Sequence, residues 1–206
     1  MGKHAQSIDS QILRRMRARG RGLAFTPADF LDLGTRAAVD QALSRNTRSG
    51  AIRKVGRGIY DVPQDHHLLG RLSPTTDAVV NAVAKRTNAT VLPSGAHAAN
   101  MLGLSDQVPM RSVYLTDGRK CRLQVGNNSV LLKHAGARTM RTKNPASAAI
   151  IHALRWIGRS HVDDETLAKL QRNLKPADRA ALLKDAPQAP GWIADIFHRL
   201  AKDVPQ

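Results

Sequence analysis

Thr26–Pro63, TPADFLDLGTRAAVDQALSRNTRSGAIRKVGRGIYDVP, decides how the rest of the chain is read. Thr26 is a good N-cap, Pro27 suits a first helical position, and Asp29 puts a carboxylate into the positively polarised first turn. These predict a short helix from Pro27 to about Leu33. Gly34 supplies a turn, and Thr35 caps a second helix that runs to about Arg48, where Ser49 and Gly50 stop it. Ala38, Val39, Ala42 and Leu43 fall on one stripe of that helix, leaving Arg36, Ala37, Asp40, Gln41, Ser44, Arg45 and Arg48 turned outward. Two strands follow, Ala51–Val55 and Gly58–Val62, around the turn Gly56-Arg57-Gly58, with Ile52, Val55, Ile59 and Tyr60 as packing residues. Pro63 closes the unit. Two capped helices followed by a basic hairpin predict a winged helix-turn-helix.

Such a motif offers one helix to base edges and a hairpin to the phosphate backbone. Arg can bond guanine through two donors and Gln can do the same with adenine, so Arg36, Gln41 and Arg45 are the candidates for base contact. Thr35, Asp40 and Arg48 complete the helical face. Arg53, Lys54 and Arg57 are the hairpin's candidates for phosphate contact.

Outward from this stretch, a formal charge of +16 over 206 residues points to a polyanionic partner, and 42% apolar residues suffice for packed cores. Residues 1–62 hold 12 Lys/Arg against 5 Asp/Glu, residues 63–145 hold 11 against 4, and residues 146–206 hold 9 against 7. The positive excess therefore belongs to the first two thirds. No apolar run is long enough to span a bilayer, and MGKHAQSIDS lacks a signal-peptide core, so a cytoplasmic protein without a membrane partner is expected. The single cysteine, Cys121, rules out an internal disulfide and is read as a structural thiol.

Before the deciding stretch, Ser7 caps a helix with Ile8, Ile12, Leu13 and Met16 on one face; Leu23–Phe25 can supply a short strand for the hairpin to pair with. After it, residues 64–74 read as a connection. A helix from Thr76 to Lys85, a strand near Thr90–Leu92 and a helix capped by Ser94 follow. Strands at Arg111–Thr116, Arg119–Val125 and Ser129–His134 come next, with Asp117–Gly118 and Gly126–Asn128 as hairpin-type turns. Helices at Pro145–Arg159, Asp164–Asn173, Pro176–Lys184 and Gly191–Lys202 complete the chain. The fold class is α+β: a winged helix-turn-helix at 1–63, then a mixed α/β domain at 70–206 with a small sheet and several terminal helices.

An enzymatic reading would rest on His66, His67, His134, His152 and His161 with Asp163 and Asp164, but these lack the spacing of a metal or acid–base site. Asp163, Asp164 and Glu165 suit the first turn of a helix instead. Neither Ser94 with His97 nor Gly20 with Gly22 has the sequence context of a nucleophile elbow or a nucleotide loop. No catalytic residue, metal or cofactor is expected. A nucleic-acid-processing enzyme, or an architectural binder using Arg119, Lys120, Arg122, Lys133, Arg138, Arg141 and Lys143, is the alternative reading.

Two blocks resemble the AbiEi-type antitoxins of type IV toxin–antitoxin systems. One is the hairpin strand Arg57-Gly58-Ile59-Tyr60-Asp61-Val62-Pro63; the other is LPSGAHAANMLGLSDQVP, Leu92–Pro109, with the strand Val113–Thr116 after it. The resemblance covers most of the chain, although no sharp family motif is matched after Pro145. It implies a repressor that binds inverted repeats in its own promoter. It also implies a C-terminal domain that counters a nucleotidyltransferase-like toxin encoded next to it, without requiring a stable complex.

Overall fold

A computed structural model describes residues 7–20, 22–68, 70–106, 112–142 and 144–202. Pro109, Arg111, Lys143 and the side chain of His66, all named above, lie outside the described residues. The fold is mixed α+β, in two compact units: residues up to Ala89 with 122–130, and residues 90–121 with those from 131 onward.

In the first unit, α1 (Ile8–Ala18) starts where the Ser7 hydroxyl accepts the Ser10 N–H at 3.3 Å, and it buries Ile12 and Met16. A 3₁₀ turn at Pro27–Phe30 stands where a helix to Leu33 was expected. Its Asp29 carboxylate accepts from both the Thr26 N–H and hydroxyl, at 2.8 and 2.9 Å. Helix α2 (Arg36–Arg48) packs on α1. Strands β1 (Arg53–Gly56) and β2 (Ile59–Asp61) form an antiparallel hairpin with a bulge between Lys54 and Gly56. Gly58 in its turn has φ +63°, a left-handed conformation that a side chain would strain. Phe25 bridges to Tyr60 through two backbone bonds of 2.8 and 2.9 Å, a single-residue bridge beside the two-stranded hairpin. Ile12, Met16, Phe25, Phe30, Val39, Ala42, Leu43 and Ile52 close over one core, and full burial of each large side chain contributes roughly 1.5–3 kcal/mol.

The unit does not end at Pro63. Residues expected to be a plain connection form a second hairpin, β3 (Gln64–His66) with β4 (Gly70–Leu72). Helix α3 (Thr76–Thr87) buries Val79, Val80, Ala82 and Val83 and contacts β2. Polar links fasten it further: the Thr75 N–H donates to the Gly22 carbonyl at 3.1 Å, the Lys85 ammonium pairs with Asp29, and the Arg86 guanidinium donates to the Arg57 carbonyl. The boundary therefore lies near Ala89.

Farther along come β5 (Val91–Pro93), α4 (Gly95–Met101), β6 (Ser112–Thr116), β7 (Cys121–Val125) and β8 (Asn128–His134). Their sheet runs β5-β6-β8-β7. Asp117–Gly118 is consequently not a hairpin turn between β6 and β7: β8 sits between them. Strand β8 buries Val130 and Leu132, whereas β7 exposes Arg122 and Gln124 as an edge strand does.

The terminal helices of the second unit are α5 (Pro145–Ile157), α6 (Asp164–Asn173), α7 (Pro176–Asp185) and α8 (Gly191–Ala201). Each matches its expected range to within two residues. The Asn144 side chain accepts the Ala146 and Ser147 N–H groups, and the Asp163 carboxylate accepts the Thr166 N–H at 2.8 Å. Ile150, Leu154, Leu170, Leu182, Ile193, Phe197 and Leu200 form the fully buried centre. Helices α4 and α5 meet through Ala98, Ala99, Ala149 and Ala153, small residues that let the backbones approach closely.

Candidate nucleic-acid interface

Helix α2 turns its exposed face away from Val39, Ala42, Leu43 and Asn46, which are buried. Asn46 was not foreseen as a core residue. Its amide donates to the Asp9 backbone carbonyl at 3.1 Å, so a polar residue on the inner face ties α2 to α1. Ala38, expected in the buried stripe, is only half-buried.

The nine candidate contact residues differ in their surroundings. Gln41 and Arg48 on α2, and Lys54 and Arg57 on the hairpin, are exposed and their side chains form no ion pair among the described residues. Arg36 and Arg45 are exposed but engaged. Arg36 Nε bonds Asp40 at 2.9 Å one turn along, and Arg45 holds Asp9 through two bonds of 2.6 Å. The hydrogen bonds from Arg45 hold the Asp9 carboxyl below its ordinary range, and the same bonds raise the guanidinium's own pKa. Thr35 serves as the helix cap, its hydroxyl accepting the Ala38 N–H at 3.3 Å.

Arg53 stands apart. Its Nε donates to Asp61 at 3.0 Å, one terminal nitrogen donates to the other Asp61 oxygen, and that nitrogen also reaches the Leu72 carbonyl at 2.8 Å. Asp61 is 3% exposed. Geometry thus gives Arg53 an internal task, locking β1 to β2 and to the β4 backbone.

Two contributors were missed from sequence. Tyr60 on β2 was read as a packing residue, yet its hydroxyl lies within electrostatic reach of α2. Burial raises its pKa, Asp40 adds to the rise and Arg36 opposes it. Arg86 supports the hairpin turn by bonding the Arg57 carbonyl, and it leaves that residue's guanidinium outward. The signal available for Arg86 was the Lys85-Arg86 pair at a helix end, which also suits the helix dipole and so reads ambiguously.

The histidines are dispersed. His134 Nδ1 lies 3.0 Å from the Gly118 carbonyl, His161 Nδ1 3.1 Å from the Ser160 hydroxyl, and His97 Nε2 2.9 Å from the Tyr114 hydroxyl, while His152 is buried in α5. Among the described residues no three His, Cys, Asp or Glu side chains converge as a metal site. No helix there is long and apolar enough to cross a membrane.

Residues 11–182 match one protein-family model. The chain belongs to DUF6088, a family of unknown function. The match runs from within α1 to within α7, so it takes in α2, the hairpin and the sheet together. No curated protein matches the chain.

Proposed function

We propose that this DUF6088 protein is a sequence-selective double-stranded DNA binder whose first unit acts as a winged helix-turn-helix. The observation that carries the reading is the disposition of α2 and the β1–β2 hairpin. Helix α2 packs on α1 through one face and presents Gln41, Arg48, Arg36 and Arg45 on the other, and the adjoining hairpin exposes Lys54 and Arg57. A net charge of +16 supplies the field that draws in a phosphate backbone. Arg36 and Arg45 reach DNA already oriented by Asp40 and Asp9, which lowers the entropy cost of placing them.

A gel-shift titration with the protein's own upstream region, against scrambled DNA of equal length, tests this. Selective binding of the upstream fragment is expected, and Gln41→Ala or Arg48→Ala should cost about 1–3 kcal/mol of that selectivity. Equal affinity for both fragments would overturn the reading. It would favour the non-specific binder, for which the segment 118–143, with no Asp or Glu, is the specific support.

The wider role follows the resemblance to AbiEi-type antitoxins: repression of its own operon, and neutralisation of a nucleotidyltransferase-like toxin through the second unit. Its support is the block from Leu92 that contains β5, α4 and β6. Co-expression with the adjacent gene in a growth-rescue assay tests it; unrelieved toxicity, or a neighbour without toxic activity, would count against it.

A further inference from the structure

We infer that α2 divides its exposed face between two tasks: the stripe Ala37, Gln41, Ser44 and Arg48 reads base edges, while Arg36 and Arg45, on opposite flanks, clamp phosphates on the two walls of one major groove. The inference rests on the DNA-binding reading of the first unit and names the part of the DNA that each side chain meets.

An α-helix turns once in about 3.6 residues, so positions recurring after four, three and four residues stay on one line. Ala37, Gln41, Ser44 and Arg48 follow that spacing and lie opposite the buried Val39, Ala42, Leu43 and Asn46. Ala37, Gln41 and Arg48 are exposed, and Ser44 is half-buried. Arg36 and Arg45 cannot share that line. They stand nine positions apart, about 2.5 turns, which puts them on opposite sides of the helix and about 13.5 Å apart along its axis.

Each flank has its own neighbour. Arg36 Nε donates to Asp40 at 2.9 Å, and both residues act on Tyr60 of β2, so this flank adjoins the hairpin. Arg45 donates to Asp9 of α1 through Nε and one terminal nitrogen, at 2.6 Å each, so its flank adjoins α1. Both side chains are more than half exposed, and these bonds use only part of each guanidinium, leaving further N–H donors. A helix with its side chains is about 10–12 Å across and the major groove about 12 Å wide, so a helix seated there brings both flanks against the walls. The walls are phosphate and the floor is base edge. Asp40 and Asp9 offset part of the charge beside them, so the two pairs contribute position more than field. On the floor, Gln41 suits adenine, Arg48 suits guanine, and the Ala37 methyl suits a thymine methyl.

Gel-shift titration of the full-length protein on its upstream fragment and on scrambled DNA, with phosphate-ethylation interference on the former, tests the division. Arg36→Ala and Arg45→Ala should each weaken binding to both DNAs roughly threefold or more, with the ratio between them unchanged. Each should also abolish interference at one set of phosphates, the two sets facing each other across a single major groove. Gln41→Ala should instead lower the ratio about fivefold or more and keep both sets. Arg45→Lys keeps a cation beside Asp9 and covers the case in which Arg45→Ala melts early; its ratio should also be unchanged. A ratio lowered in the arginine variants, or one set of phosphates lost in both, would overturn the inference and leave the DNA-binding reading in place. Equal binding of the two DNAs by the unchanged protein would sink both.

Discussion

Arginines 53 and 57 lie four residues apart in one basic stretch and are indistinguishable by type, but their surroundings set them opposite tasks. Arg53 is bonded on three sides within the unit, and truncating it leaves Asp61 buried without its donors. Arg53→Ala should therefore cost about 1–3 kcal/mol of stability, read as a lower midpoint in urea with an unchanged slope. DNA affinity should hold wherever the variant remains folded. Arg57→Ala should do the reverse: no loss of stability, weaker binding to every DNA sequence, and a log–log salt slope reduced by about 1. If Arg53→Ala reduces the salt slope and Arg57→Ala does not, the assignments are exchanged. The same contrast shows what a sequence hides at this scale. Residue type advertises charge, but the Asp9 that holds Arg45 is 36 positions away, and nothing local to either residue announces the pair.

At the scale of elements, the α4–α5 contact depends on Gly95. A Cβ there would lie 2.6 Å from the Trp156 Cβ and 3.0 Å from the His152 carbonyl oxygen, so backbone as well as side chain would have to move. Alanine favours a helix by up to about 1 kcal/mol over glycine, but overpacking of this kind costs about 1–3 kcal/mol. Gly95→Ala should on balance destabilise the protein, seen as a lower denaturant midpoint, and a stabilised variant would mean that the helices separate easily. Elements with local determinants were legible before the structure. Ser7 and Thr35, read as caps, each accept a hydrogen bond from the first turn of their helix, and the apolar spacing of α1 marked Ile12 and Met16. Elements decided by distant partners were not. The β3–β4 hairpin has no alternating apolar pattern in QDHHLLGRL, and the place of β8 between β6 and β7 depends on pairings the chain order does not imply. At the candidate interface the exposed face of α2 could be read from periodicity, whereas the locking of Arg53 and the support from Arg86 could not.

For the molecule as a whole, stability should fall in two separate pH ranges on acidification. His152 is buried in α5, and burial first, with the nearby Arg155 charge second, lowers its pKa below the ordinary 6.5. The unfolded chain then takes up a proton near pH 6.5 that the folded one resists, so stability is fully present above that pH and is lost as pH falls toward the folded value. Each unit of lowering contributes about 1.4 kcal/mol. The carboxylates act lower. Asp9, Asp32 and Asp163 are held below 3.8 chiefly by hydrogen bonds from Arg45, Arg15 and Thr166. Burial opposes the lowering at Asp29, where bonds from Lys85 and Thr26 outweigh it. Their contribution is present above pH 3.8 and disappears as these groups are protonated below it. Thermal melts from pH 8 to pH 3 should show both declines, and His152→Leu should remove the upper one while leaving the lower in place. An upper decline unchanged in His152→Leu would assign it to other groups. Adding protons also raises a net charge that already stands at +16, so His152→Leu and the unchanged protein must be compared at equal ionic strength for the difference to isolate one imidazole from the repulsion of the whole surface.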